Sequence, residues 1–191
     1  YKRQVVGEAS PTATNAELAS LMVGRAVELT VQKNPPHLGE GGLEVRDLRV
    51  LTHTGAIVVD GVSFDVRPGE ILAVAGVQGN GQTELVEAIV GLAPRVEGSI
   101  SLDGTELVGK SVHAILGEGV GFVPEDRKVD GLVGGFSVAE NLILDRSSDP
   151  AFARAGTLRR SALDSFARDR ITEYDIRTQG PQTAAGTLSC L

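Results

Sequence analysis

From Leu43 onward the chain alternates. Leu43 and Val45, then Leu48 and Val50, are separated by charged residues, and after a polar break "AIVVDGVSFDV" sets Val62, Phe64 and Val66 on one face. A period of two is that of a strand with one face buried and one wet, so two half-buried strands are predicted. "RPGE" (Arg67 to Glu70) then supplies proline and glycine at turn positions, and "ILAVAG" (71–76) is a continuous apolar run, predicting a short parallel strand buried on both faces. At "GQTELVEAIVGL" the period changes: Leu85, Ala88, Ile89 and Leu92 share one helical stripe, with Glu84 in the first turn. Further strands are predicted at 99–104 and 120–125, and a helix over 137–144 whose Ser137 and Glu140 form a capping box. A longer amphipathic helix is predicted over 160–175, from Leu163, Phe166, Ala167, Ile171 and Tyr174.

Residues 1–41 follow a different pattern. Asn15 is placed to cap a short helix carrying Leu18, Leu21 and Met22, with Gly24 as its stop, and "VQKNPPHLGEGG" behind it is punctuated as an extended linker. A helix and linker in this position are expected to be the tail of a preceding unit.

Composition narrows the class. A hydrophobic share of 41% supplies enough apolar surface to offset the entropy of ordering. With 18 Lys and Arg against 25 Asp and Glu the formal charge is -7, so a field able to gather a polyphosphate backbone is missing and nucleic acid is not an expected partner. No apolar stretch reaches the length that spans a bilayer, and no signal-peptide pattern follows "YKRQ", so a soluble, cytoplasmic chain is expected. The one cysteine, Cys190, has no partner for an internal disulfide. His37 and His113 have no ligand or nucleophile at useful spacing and read as surface residues.

Candidate chemistry is concentrated in "GVQGNGQTE" (76–84). A glycine-rich turn between a strand and a helix gathers main-chain N–H groups and the positive end of the helix dipole at one point, an arrangement suited to phosphate. Gly76, Gly81 and Thr83 fall at the spacing of such a loop, and Thr83 offers the hydroxyl that holds Mg²⁺, but Gln82 stands where a lysine supplies charge. A hydrogen bond to a charged group is worth about 1.5–3 kcal/mol against about 0.5–1.5 for a neutral pair, so binding weakens without vanishing. Transition-state charge depends on preorganised electrostatics, where one lost contact costs about 10²–10³ in rate, so turnover suffers more. Taken alone the motif also fits a plain tight turn. A dinucleotide fingerprint is excluded, because its third glycine would fall at Glu84.

With its neighbours the loop becomes specific. "DGVSFDVRPGEILAVAGVQGNGQTELVEAIVGL" resembles the opening of an ATP-binding-cassette (ABC) ATPase domain, and the likeness runs from Leu43 over nearly all of the remaining chain. "VGFVPEDRKVDGLVGGFSVAENLIL" and "YDIRTQGPQTAAGTLS" are similar to the second, often degenerate, cassette of tandem-cassette ATPases that drive bacterial import of simple sugars or nucleosides, and "NAELASLMVGR" is similar to the last helix of the first. The resemblance implies an α/β fold, a P-loop NTPase-type cassette core with an antiparallel β-subdomain and a partial helical subdomain. Residues 1–41 are then the tail of the first cassette plus a linker, and 42–191 the N-terminal part of the second. It implies ATP and Mg²⁺ as cofactors, with Gly76, Gln78, Gly79, Asn80, Gly81, Gln82, Thr83 and Glu84 around the phosphates, His53 near the position of an adenine-stacking aromatic, and Thr83 and Glu125 toward the metal. Glu125 occupies the position of the family's Q-loop glutamine, which contacts the membrane subunit. No complete catalytic set is expected: "GTLSCL" begins like the Leu-Ser-Gly-Gly signature, but Cys190 and Leu191 replace the glycines, so the chain is expected to be an inactive fragment. Implied partners are the first cassette of the same polypeptide, transmembrane permease subunits and, indirectly, an extracellular solute-binding protein, at the cytoplasmic face of a bacterial membrane. Two alternatives stand beside this: a structural or regulatory half that binds nucleotide without hydrolysing it, and a soluble ABC ATPase with no membrane partner.

Overall fold

A computed structural model describes residues 5, 7–24, 35–147 and 149–188. The two predicted strands form an antiparallel pair, β1 (Leu43–Leu51) and β2 (Ile57–Val66). Strand β3 (Arg95–Leu102), which contains most of the predicted 99–104 segment, adds to the other side of β1, and β4 (Thr105–Glu106) completes the order β2-β1-β3-β4. Val45 and Leu48 are both buried although three residues apart, which a strict period of two forbids. A bulge resolves this: the register shifts between Val45 and Leu48, and Asp47 takes a φ of 46°. Opposite it, Gly98 lets the backbones close, since a Cβ there would sit 2.6 Å from the carbonyl oxygens of both Arg46 and Asp47.

Helix α2 (Gln82–Ile89) covers one face of this sheet. Leu85 and Ala88 join Val45, Leu48, Val50, Val59 and Ile100 in the first core, while Leu92, counted on the predicted stripe, is exposed beyond the helix end. A helix the periodicity did not announce, α3 (Val112–Gly117), is capped by Ser111 and contributes Ile115. Its six residues are too few for a periodic signal.

Two predicted strands are corrected. Residues 71–77 and 120–124 are neither strand nor helix; Ile71 is 82% and Val74 56% exposed. A buried parallel strand needs hydrogen-bonding neighbours on its edges, and among the described residues neither segment is paired in a sheet. Their apolar composition supplies the propensity; among the described residues no strand lies beside them to complete the pairing.

The second unit is helical. Helix α4 (Val138–Asn141) begins with the predicted capping box but is only four residues long, followed by a 3₁₀ turn at Leu144–Arg146. A small hairpin, β5 (Ala153–Arg154) and β6 (Thr157–Leu158), leads to α5 (Arg160–Glu173). Ala139, Ile143, Phe152, Leu163 and Ala167 form its core. The Phe152 and Phe166 rings lie 5.0 Å apart, with the Arg146 guanidinium 5.6 and 5.7 Å from their centres. Tyr174, placed on the predicted stripe, lies just past the helix and is exposed.

Helix α1 (Asn15–Val23) starts at the predicted cap residue itself, so the cap lies one residue earlier than predicted. Thr14, not Asn15, holds the extended backbone of an N-cap, its hydroxyl accepting from the Glu17 N–H while the Glu17 carboxylate accepts from the Thr14 N–H at 2.8 Å. Gly24 closes the helix in the left-handed region, as predicted. The described end of the linker lies along the β-unit: Gly39 N–H donates to Pro68 O at 3.2 Å, and Gly42 N–H to the Asp103 carboxylate at 2.8 Å.

Candidate functional site

The segment 71–77 leads out of the "RPGE" turn into the glycine-rich loop. Glu70 closes that turn by accepting the Arg67 N–H at 2.9 Å, which, with the Arg67 side chain, holds its carboxyl below the usual range. Asn80 N–H donates to Val77 O at 3.2 Å. Gly79 and Gly81 have φ of 89° and 91°, a region that side chains disfavour. Gly81 is also packed against β2, where a Cβ would lie 2.5 Å from Val58 O. As the N-cap of α2 it has no side chain to accept the first-turn N–H groups, so the amides at Gln82, Thr83 and Glu84 are left for an outside acceptor. Gly79 faces open space.

Gln82 folds back across this mouth. Its Nε2 donates to Val77 O at 3.4 Å, and a Cβ on Gly76 would fall on its carboxamide. A neutral carboxamide held by one long hydrogen bond is readily displaced by an anion. Thr83 is exposed and Glu84 half-buried on the first turn; Gln78 and Asn80 are exposed on the loop. Gln82, Thr83 and Glu125 line one cleft of about 780 Å³, together with Val74, Phe122 and Asp126. The structure therefore gathers the two ends of the predicted site, 43 positions apart in sequence. His53 stands apart from that cleft, exposed on the turn between β1 and β2, at the end of the sheet where Val58 meets Gly81.

The donors suit the groups the family resemblance implies. Thr83 and Glu125 offer a hydroxyl and a carboxylate, hard oxygen ligands of the kind Mg²⁺ takes one or two at a time beside substrate phosphates. Among the described residues no group of three or more His, Cys, Asp or Glu forms a cage of its own, so a metal held mainly by the protein does not fit. The positive-φ glycines and uncapped amides fit a polyphosphate.

Sequence reasoning missed the structure after Glu125. Residues Arg127–Gly131 form one π-helical turn capped by Asp126, whose carboxylate accepts from Lys128 N–H at 2.8 Å and Val129 N–H at 3.1 Å. An acidic N-cap in "EDRKVDG" is the signal that was available. Asn141 was missed as well; its amide holds the turn at 133–137. Leu188 is the last described residue, and the positions read against the signature, Ser189, Cys190 and Leu191, lie outside the described residues.

Residues 59–189 match the family model for ABC transporters. This chain belongs to the ABC transporter family. It is 43% identical over 176 residues to the nucleoside import ATP-binding protein NupA of Lactococcus lactis subsp. cremoris, covering 92% of this chain and 35% of the relative. It is 38% identical over 173 residues to the guanosine import ATP-binding protein NupO of Bacillus subtilis (91% of this chain, 34% of the relative), and 35% identical over 178 residues to the glucose import ATP-binding protein TsgD13 of Haloferax volcanii (92% and 32%). The chain thus spans about a third of the length of these curated relatives. A nucleotide-free ATP-binding cassette superimposes with a TM-score of 0.57 at 18% identity, over 78% of this chain and 59% of that one. The ADP conformation of the cassette MJ1267 gives 0.54 at 19%, over 79% and 60%. The fold is that of an ATP-binding cassette, α/β of the P-loop NTPase type.

Proposed function

We propose that this ABC chain is part of the second cassette of a tandem-cassette ATPase that powers import of nucleosides or simple sugars. The observation that carries the nucleotide role is the cleft where Gln82 and Thr83, at the uncapped start of α2, face Glu125. Gly79, Gly81, Gln82 and Thr83 would contact the phosphates, and Thr83 with Glu125 would hold Mg²⁺. When bound, Mg²⁺ would neutralise charge on the phosphates. The chain's own part is to cradle and orient: glycine amides would approach the phosphate oxygens, the Thr83 hydroxyl would be a ligand for the ion, and Gln82, released from Val77 O, would donate to a phosphate oxygen. Without a lysine charge the loop binds more than it turns over. In the complete protein, two cassettes close over nucleotide and the segment after Glu125 meets a permease at the cytoplasmic membrane face. The names of the relatives, nucleoside, guanosine and glucose importers, support the solute class, and residues 1–41 read as the tail of a preceding cassette plus a linker.

Equilibrium dialysis with labelled ATP tests the site. Binding should be tighter with Mg²⁺ than without, and Thr83→Ala should erase that difference; ATP leaving the chain unbound under both conditions removes the nucleotide role. The position of Gln82 also favours a second reading, a scaffold half that binds nucleotide and never hydrolyses it. Gln82→Lys in the complete protein separates the two: raised turnover means charge alone was limiting, and unchanged turnover favours the scaffold.

A further inference from the structure

The last residues of the linker, "HLGEGG" (37–42), are built onto the β-unit. Two turns receive them. At the first, Gly39 N–H donates to Pro68 O at 3.2 Å, and Gly69, at a φ of 78°, lets the backbones meet, since a Cβ there would lie 2.5 Å from His37 O. At the second, Gly42 and Asp103 exchange two bonds: Gly42 N–H donates to the Asp103 carboxylate at 2.8 Å, and Asp103 N–H donates to Gly42 O at 2.9 Å. A Cβ on Gly42 would collide with Val66 O, and one on Gly41 would lie 2.6 Å from Asp103 Oδ1. The segment thus bridges the end of the sheet where β2 stops at Val66 and β3 at Leu102, and it fits there because positions 41 and 42 carry no side chain.

Asp103 has two roles in this. With Gly104 it makes the two-residue turn from β3 to β4, at φ of 48° and 79°, a geometry that Asp-Gly, Asn-Gly and Gly-Gly pairs adopt most readily. The turn itself does not need the carboxylate, which instead reaches a residue 61 positions earlier in the chain. Ordering a linker costs backbone entropy, and these bonds are what offsets it.

We propose that residues 37–42 are a strap seated across Pro68–Gly69 and Asp103, with Asp103 as its lock, so that whatever precedes the β-unit is tethered at His37 and not at the first residue of β1. The consequence for ATP turnover rests on the reading above that residues 1–41 follow a first cassette. A seated strap shortens the tether between the cassettes and raises their effective concentration for closure. Released, the tether gains the length of residues 37–42, about 20 Å when extended. The strap itself stands on the hydrogen bonds.

Hydrogen exchange on the full-length ATPase that carries this segment tests the strap. In the parent, the amides of Gly39 and Gly42 should exchange at least about tenfold more slowly than in an unstructured chain; exchange at the unstructured rate overturns the proposal. Asp103→Gly keeps the turn and removes the carboxylate, so Gly42 should exchange about tenfold faster with β1 unchanged, while Asp103→Asn, whose side-chain oxygen still accepts, should stay at the parent level. Protection retained in Asp103→Gly overturns the lock. If Asp103→Gly disturbs the sheet, Gly41→Ala acts from the linker side: Gly39 and Gly42 should again exchange about tenfold faster, and parent-level protection overturns the strap. In ATP turnover by the complete protein, Asp103→Gly should raise the half-saturating ATP concentration about twofold or more, with turnover at saturating ATP unchanged and Asp103→Asn at the parent value. An unchanged half-saturating concentration refutes the tether. A complete protein with no cassette ahead of the strap counts against the proposed function instead, and the exchange result still decides the strap.

Discussion

At position 82 a carboxamide lies where a charge is expected, hydrogen-bonded to the loop's own Val77 carbonyl. Opening the mouth therefore breaks one weak bond, and the gain on binding is that of a neutral donor to an anion. Gln82→Lys should tighten ATP binding by about 1–1.5 kcal/mol, roughly tenfold, by calorimetry; unchanged affinity would mean that position 82 does not reach the phosphates. Gly81 is constrained twice, by a φ of 91° and by Val58 O. Gly81→Ala should cost about 1–3 kcal/mol in urea denaturation and widen the loop. The glycine spacing and Thr83 were legible in sequence because phosphate loops demand specific residues at specific offsets. The fold-back of Gln82 was not, since a long polar side chain chooses its partner only after the loop is built.

At the scale of elements, caps and core stripes carry the stability. Ser137 caps α4, and Glu140 accepts its N–H and hydroxyl, both at 2.8 Å, which holds the Glu140 carboxyl below the usual range. The depressed value in the folded state means that this contribution is present above the ordinary carboxylate value, about pH 4.3, and is lost as the pH falls through the lower folded one. Urea midpoints from pH 7 to 3 should fall below about pH 4.3, and less steeply in Glu140→Gln. Ser137→Ala should cost about 1 kcal/mol at neutral pH. The capping box was readable because it is local: two residues three apart satisfy each other. The strand over 71–76 was misread for the converse reason, because an apolar run is a strand only when other strands pair with it.

Over the whole molecule, two packed units each bury a core while apolar residues stay exposed around Glu125, among them Val123 at 91%. Val123→Asp should leave the unfolding free energy within about 0.5 kcal/mol, since an exposed side chain has little packing to lose. If this surface meets a permease, the same change should abolish co-purification with it; retained co-purification places the contact elsewhere. By itself the sequence determined the antiparallel strand pair, the helix behind the glycine-rich loop and the capping box at Ser137 and Glu140, all of which follow from short-range periodicity and local hydrogen bonding. Only the tertiary structure decided that Glu125 shares a cleft with Gln82 and Thr83, that a bulge at Asp47 puts Val45 and Leu48 in one core, that 71–77 stays unpaired, and that the end of the linker is held by Pro68 and Asp103. Those outcomes depend on which distant segments meet, and no local pattern of residues encodes its own partner.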